Sequence, residues 1–73
     1  MYVDKNNSLV KENDLLLFDN GSIYRLVRVE KAYCLKSITA SLPMIRVDMI
    51  AFGNYLSSAT LIKNNFKEEK KNG

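Results

Sequence analysis

Leu15-Leu16-Leu17-Phe18-Asp19-Asn20-Gly21-Ser22-Ile23-Tyr24-Arg25-Leu26-Val27-Arg28-Val29 decides the fold of this chain. Four apolar residues run into a cluster of turn-formers, then into β-branched and aromatic residues punctuated by arginine. That is the pattern of strand, tight turn, strand. Leu15 to Phe18 is apolar without interruption, which predicts a strand buried on both faces. Asn20-Gly21 supplies two residues that tolerate positive φ, as a tight hairpin needs. In the second strand, Ile23 to Glu30, Tyr24 and Leu26 fall on one side and Ile23, Val27 and Val29 on the other. Arg25 breaks the second set and Arg28 follows the first, so a bulge or a change of exposed face is expected midway.

Outward from this hairpin, Lys31-Ala32 is a short link and Tyr33 to Ile38 a third strand. The three strands form a meander with the twist that begins a small barrel. Thr39 to Pro43 is a loop, closed by a proline that lacks a backbone donor. Ile45 to Met49 alternates like a strand, yet Ile45, Met49, Phe52 and Leu56 recur at the spacing of one helix face. Gly53 weakens such a helix by about 1 kcal/mol relative to alanine. The preferred reading is a helix over about 47–57, preceded by a short strand, that caps the open end of the sheet. Ala59 to Ile62 is a last strand pairing back on the sheet. Residues 1–12 are polar except for Leu9 and Val10 and read as a flexible arm or an added edge strand. Residues 64–73 read as a charged tail or linker. The expected fold of the single domain, 13–63, is α+β and mostly β. It is a three- to five-stranded antiparallel meander or SH3-like partial barrel capped by one helix.

A chain of 73 residues has room for one small domain with a thin core. Its 47% hydrophobic content argues against disorder. No apolar run approaches the roughly 20 residues that span a bilayer. The start, Met1-Tyr2-Val3-Asp4-Lys5-Asn6-Asn7, does not read as a signal peptide, so a cytoplasmic location without a membrane partner is expected.

The single cysteine, Cys34, excludes an internal disulfide framework and reads as an inert, partly buried thiol. Histidine is absent, which removes the commonest general base and metal ligand. Turns, termini and solvent faces account for Asp4, Glu12, Asp14, Asp19, Glu30 and Asp48, and the three glycines are too scattered to cradle a phosphate. No catalytic residue, metal, cofactor or small-molecule substrate is expected.

The net charge of +3 is mild. Lys67, Lys70 and Lys71 are nearly cancelled by Glu68 and Glu69, and the positive charge outside that stretch includes Arg25, Arg28, Lys31, Lys36, Arg46 and Lys63. Arg25, Arg28, Lys31 and Lys36 lie on or between adjacent strands. Sharing a face, they would form a basic patch beside Tyr24 and Tyr33, with Arg46 as a further contact, able to track the phosphates of duplex DNA. The same residues also serve as the solvated face of a half-buried sheet. The 47–57 segment carries only Asp48 as a charge and offers no recognition helix. Tyr24, Tyr33, Phe52 and Tyr55 are candidates for docking a protein partner instead.

Leu17-Phe18-Asp19-Asn20 followed by Tyr24-Arg25-Leu26 resembles the extreme N-terminus of TnsB-type transposases from Tn-seven-like elements, with its "LFDN"-like turn and "YR" strand. Leu42-Pro43, Arg46, Asp48, Met49-Ile50, Tyr55-Leu56 and Leu61-Ile62 resemble the later segment of the same region. There a proline precedes an amphipathic helix ending in "YL" and a short strand. The likeness covers about residues 13–63. It departs where family members often place a glycine after the helix, since this chain has Ser58-Ala59. The resemblance implies a non-catalytic N-terminal accessory domain of a longer transposase subunit. That domain would assist binding of transposon-end DNA or assembly of the transpososome with other transposition proteins. The DDE-type catalytic carboxylates of such a subunit lie in a separate domain, so no catalytic residue is carried over. The alternatives are a small protein-interaction module and a free-standing regulator from a phage or mobile element.

Overall fold

The computed structural model describes residues 1–62; Lys63 and the expected tail, 64–73, lie outside the described residues. The chain is mostly β. Strands β1 (Tyr2–Val3) and β2 (Leu9–Val10) form a two-stranded sheet. Strands β3 (Leu15–Phe18), β4 (Ile23–Val29), β5 (Ala32–Ser37), β6 (Ile45–Arg46) and β7 (Ala59–Ile62) form a five-stranded antiparallel sheet. The order across this sheet is β6-β5-β4-β3-β7: β3 to β6 form a four-stranded meander, and a fifth strand, β7, returns beside β3. β3 and β7 match the expected strands, β4 ends one residue earlier than expected, and β5 is shifted by one residue at both ends. The sheet remains open, because β6 and β7 are its two edges and are not paired with each other.

In the β3–β4 turn, Phe18 N donates to Ser22 O and Gly21 N donates to Phe18 O, so the loop holds three residues. Gly21, at φ 91°, takes the left-handed position that follows a type I turn. Asn20 does not need positive φ. Its Oδ1 accepts the Ser22 amide at 2.9 Å, and only Gly21 of the pair has positive φ, which corrects the expectation of two such residues to one.

The β4–β5 register runs unbroken from Tyr24 opposite Ser37 to Val29 opposite Ala32, so β4 carries no bulge against β5. The irregularity lies before β3. Asn13, at φ 78°, donates to Leu26 O, while Leu26 N donates to Asp14 O. Asn13 is thus an extra residue facing one position of β4.

The expected helix over 47–57 is not formed. A three-residue 3-10 turn, Val47–Met49, stands in its place. Phe52 and Tyr55 exchange both backbone hydrogen bonds around Gly53-Asn54, and Gly53 takes φ 65°. The backbone beyond is engaged elsewhere: Val3 N donates to Asn54 O and Leu56 N donates to Val3 O. These long-range bonds replace the internal ladder of a helix. Of the stripe that suggested one, Leu56 is buried, but Met49 is 77% and Phe52 88% exposed.

Residues 1–12, expected as a flexible arm or an added edge strand, fold into the β1–β2 hairpin. Asp4 N donates to Ser8 O, Asn7 N donates to Asp4 O, and Asn7 sits at φ 65°. Asn6 N and Ser8 N donate to Asp4 Oδ1, and Leu61 N donates to Asp4 Oδ2, at 2.7–2.8 Å. Asp4, 1% exposed, therefore joins the N-terminal hairpin to β7. Lys5 N donates to Ala59 O, so two polar groups of β7 are occupied by the hairpin.

The core lies on one face of the large sheet. Leu16, Tyr24, Leu26, Leu35 and Ala59 come from the sheet, covered by Val10 of the hairpin and by Val47 and Leu56 of the 47–58 segment. Phe18 meets Tyr24 edge-on at 5.3 Å, and Tyr2 meets Tyr33 at 5.8 Å.

Candidate functional site: the outer face of the sheet

Directly paired residues of an antiparallel sheet point to the same side, and successive residues alternate. The pairing therefore sorts every strand residue. Leu16, Tyr24, Leu35 and Leu61 share the core side, and their neighbours share the other. Across that outer side one row reads Ile62, Leu15, Arg25, Lys36, and a second reads Thr60, Leu17, Ile23. A third reads Val27, Cys34, Arg46, and a fourth reads Val29, Ala32.

In the five strands, this face holds no carboxylate and no aromatic ring. It is mainly aliphatic, with Arg25, Lys36 and Arg46 along its middle and its β6 edge. Leu17 and Val29 are each 40% exposed, while Leu15, Ile23, Val27 and Ile62 are half-buried.

The five basic residues proposed from the sequence do not form one patch. Arg25 and Lys36 are cross-strand partners on the outer face, and Arg46 lies on the same face beyond Cys34. Arg28 points to the opposite side, its guanidinium 5.9 Å from the centre of the Tyr33 ring, a cation–π contact with its cross-strand partner. Lys31 is in the two-residue turn between β4 and β5. Two of the three outer cations have partners. Arg25 Nη1 donates to Asn13 O at 3.1 Å, and Arg46 binds both carboxylate oxygens of Asp48. The hydrogen bonds and charge of Asp48 hold the Arg46 guanidinium above its usual pKa, so it stays protonated throughout the accessible range.

The candidate docking aromatics are also divided. Tyr24 is core and Tyr33 is half-buried against Tyr2, whereas Phe52 and Tyr55 are exposed at the Gly53-Asn54 turn. Cys34 is free and buried.

A cleft of about 360 Å³ is lined by Phe18, Asp19, Asn20, Ile50, Leu56, Ser57 and Ser58. Its one carboxylate, Asp19, is paired with Lys5. Among the described residues, no three His, Cys, Asp or Glu side chains converge on a metal position. No described helix is long and apolar enough to cross a membrane.

The aliphatic outer face is the feature that sequence reasoning missed. Its signal was present in Leu15 and Leu17, outward positions of a strand read as buried on both sides. No family model, curated protein or solved structure matches the chain.

Proposed function

We propose that this chain is a non-catalytic protein-docking module whose working surface is the outer face of the five-stranded sheet. One observation carries the reading: an antiparallel sheet with one solvated face normally alternates apolar-in and polar-out, and this one is aliphatic on both faces. Leu15, Leu17, Ile23, Val27, Val29 and Ile62 all face outward. The resemblance of Leu17-Phe18-Asp19-Asn20 and Tyr24-Arg25-Leu26 to the start of TnsB-type transposases supports a setting for such a module. It would be an accessory domain of a cytoplasmic transposase subunit, contributing to assembly of the transpososome by protein contact.

Backbone binding of duplex DNA is the second reading, favoured by the adjacency of Arg25 and Lys36. The docking reading accounts for more of the surface, since Arg28 and Lys31 lie off the face and Arg46 is already paired.

Two titrations on the same protein separate the readings. An apolar reporter dye should brighten with the native domain and lose that response in Leu17→Lys and Val29→Lys, with the urea midpoint unchanged. A dye response that both variants retain overturns the docking reading. Duplex DNA should bind weakly. Tight binding that falls steeply with salt and is lost in Arg25→Glu also overturns it, in favour of DNA.

A further inference from the structure

We propose that the outer face receives an acidic, amphipathic helix of a partner protein, a proposal that rests on the docking reading and names the partner's chemistry. Charge is the first argument. The outward positions of the five strands carry Arg25, Lys36 and Arg46 and no carboxylate; with Arg46 held by Asp48, Arg25 and Lys36 are the charges by which a segment with acidic flanks gains and a basic one is repelled. A second copy docked face to face would bring Arg25 and Lys36 against a surface equally free of acids.

The absence of aromatic rings on this face is the second argument. Tyr24, Tyr33 and Phe18 are all on the core side, so there is no platform for stacking unpaired bases.

An extended strand would need a free sheet edge. On β7 the hairpin already occupies Ala59 O and Leu61 N, and β6 is only two residues long. A helix laid across the face needs no edge hydrogen bonds, since its backbone is satisfied internally. A helix packed on an apolar sheet face is also one of the standard two-layer arrangements. Leu15, Leu17, Ile23 and Val27 supply the aliphatic floor, and Arg25 and Lys36 cross it as one row.

The test uses the full chain and three probes: a short peptide helix with a Leu/Ile stripe flanked by glutamate, the same peptide with lysine for glutamate, and a random-sequence DNA duplex. The glutamate peptide should bind about fivefold more tightly than the lysine peptide, as two partly screened charge pairs imply. The double variant Arg25→Glu/Lys36→Glu should reverse that preference, an outcome that an unfolded variant cannot produce. Binding of the glutamate peptide should be lost in Leu17→Lys.

Equal affinity for both peptides, or binding of neither, overturns the proposal. If in that case the native domain still brightens the dye and Leu17→Lys and Val29→Lys still lose that response, the docking reading stands and only the partner's chemistry falls. Tight duplex binding abolished by the double charge reversal overturns both.

Discussion

Removal of the Asp4 carboxylate should do more damage than any surface change in this chain. Asp4 is 1% exposed and accepts backbone hydrogen bonds from Asn6, Ser8 and Leu61. A hydrogen bond to a charged group contributes about 1.5–3 kcal/mol, and an orphaned buried donor costs about 1–3 kcal/mol. The Asn6 and Ser8 amides are in a surface turn and regain water when the acceptor is lost. Leu61 N is in β7, where the carboxylate is its acceptor. With that discount, Asp4→Ala should cost about 3–5 kcal/mol. A domain of this size sits near the low end of the usual range of roughly 5–15 kcal/mol, so most of its stability is at stake.

Asp4→Asn tests the geometry more finely. Its single oxygen can keep the Asn6 and Ser8 bonds, which share Oδ1, but its NH2 then meets the Leu61 amide donor to donor. About 2 kcal/mol should be lost. Equilibrium urea unfolding followed by circular dichroism reads both. With a slope near 1 kcal/mol per molar urea, the midpoint should fall by about 2 M for Asn and by 3 M or more for Ala. Amide exchange should rise at Leu61 before it rises at Ser8 in the Asn variant. An Ala variant within about 1 kcal/mol of the parent would refute the assignment of Asp4 as the joint between hairpin and sheet.

Leu16→Ala, at the fully buried centre of β3, should lose about 2–5 kcal/mol by urea unfolding. Glu30→Gly should stabilise by about 0.5–1 kcal/mol, because Glu30 holds φ 58° in the β4–β5 turn. Gly21→Ala should destabilise by about 1 kcal/mol through its φ of 91° alone, since no atom beyond its own chain neighbours lies within 4 Å of the added methyl position. Asp48→Asn should leave the thermal midpoint unchanged, because its pairing with Arg46 is on the surface.

The strands were legible where apolar and β-branched residues stood between turn-formers. Leu15 to Phe18 and Ala59 to Ile62 are the clearest cases. The helix over 47–57 was not legible, because a spacing of three and four cannot report that Gly53-Asn54 turns the chain or that Asn54 and Leu56 bond to Val3. Those bonds are non-local, and local propensity is silent about them. The N-terminal hairpin was hidden for a related reason. Asp4 looks like a solvated acid until Leu61 arrives to bond it, although Asp4 followed by Asn6-Asn7 is a recognisable turn signal. The basic patch was assembled too generously. Arg25 and Arg28 are three apart on one strand and must face opposite ways, a consequence of the two-residue period that required no coordinates.

The Asp4–Leu61 bond also sets an order of events during synthesis. Its partners are 57 residues apart, so the Asp4 turn cannot make its bond to β7 until Leu61 has emerged. The β3–β4–β5 meander can form early from neighbouring segments. The hairpin that occupies β7 must wait, and its closure carries the loop-closure entropy of almost the whole domain. Acquisition of the native state should therefore come late and in one step, with the docking of the β1–β2 hairpin on β7 as its final event.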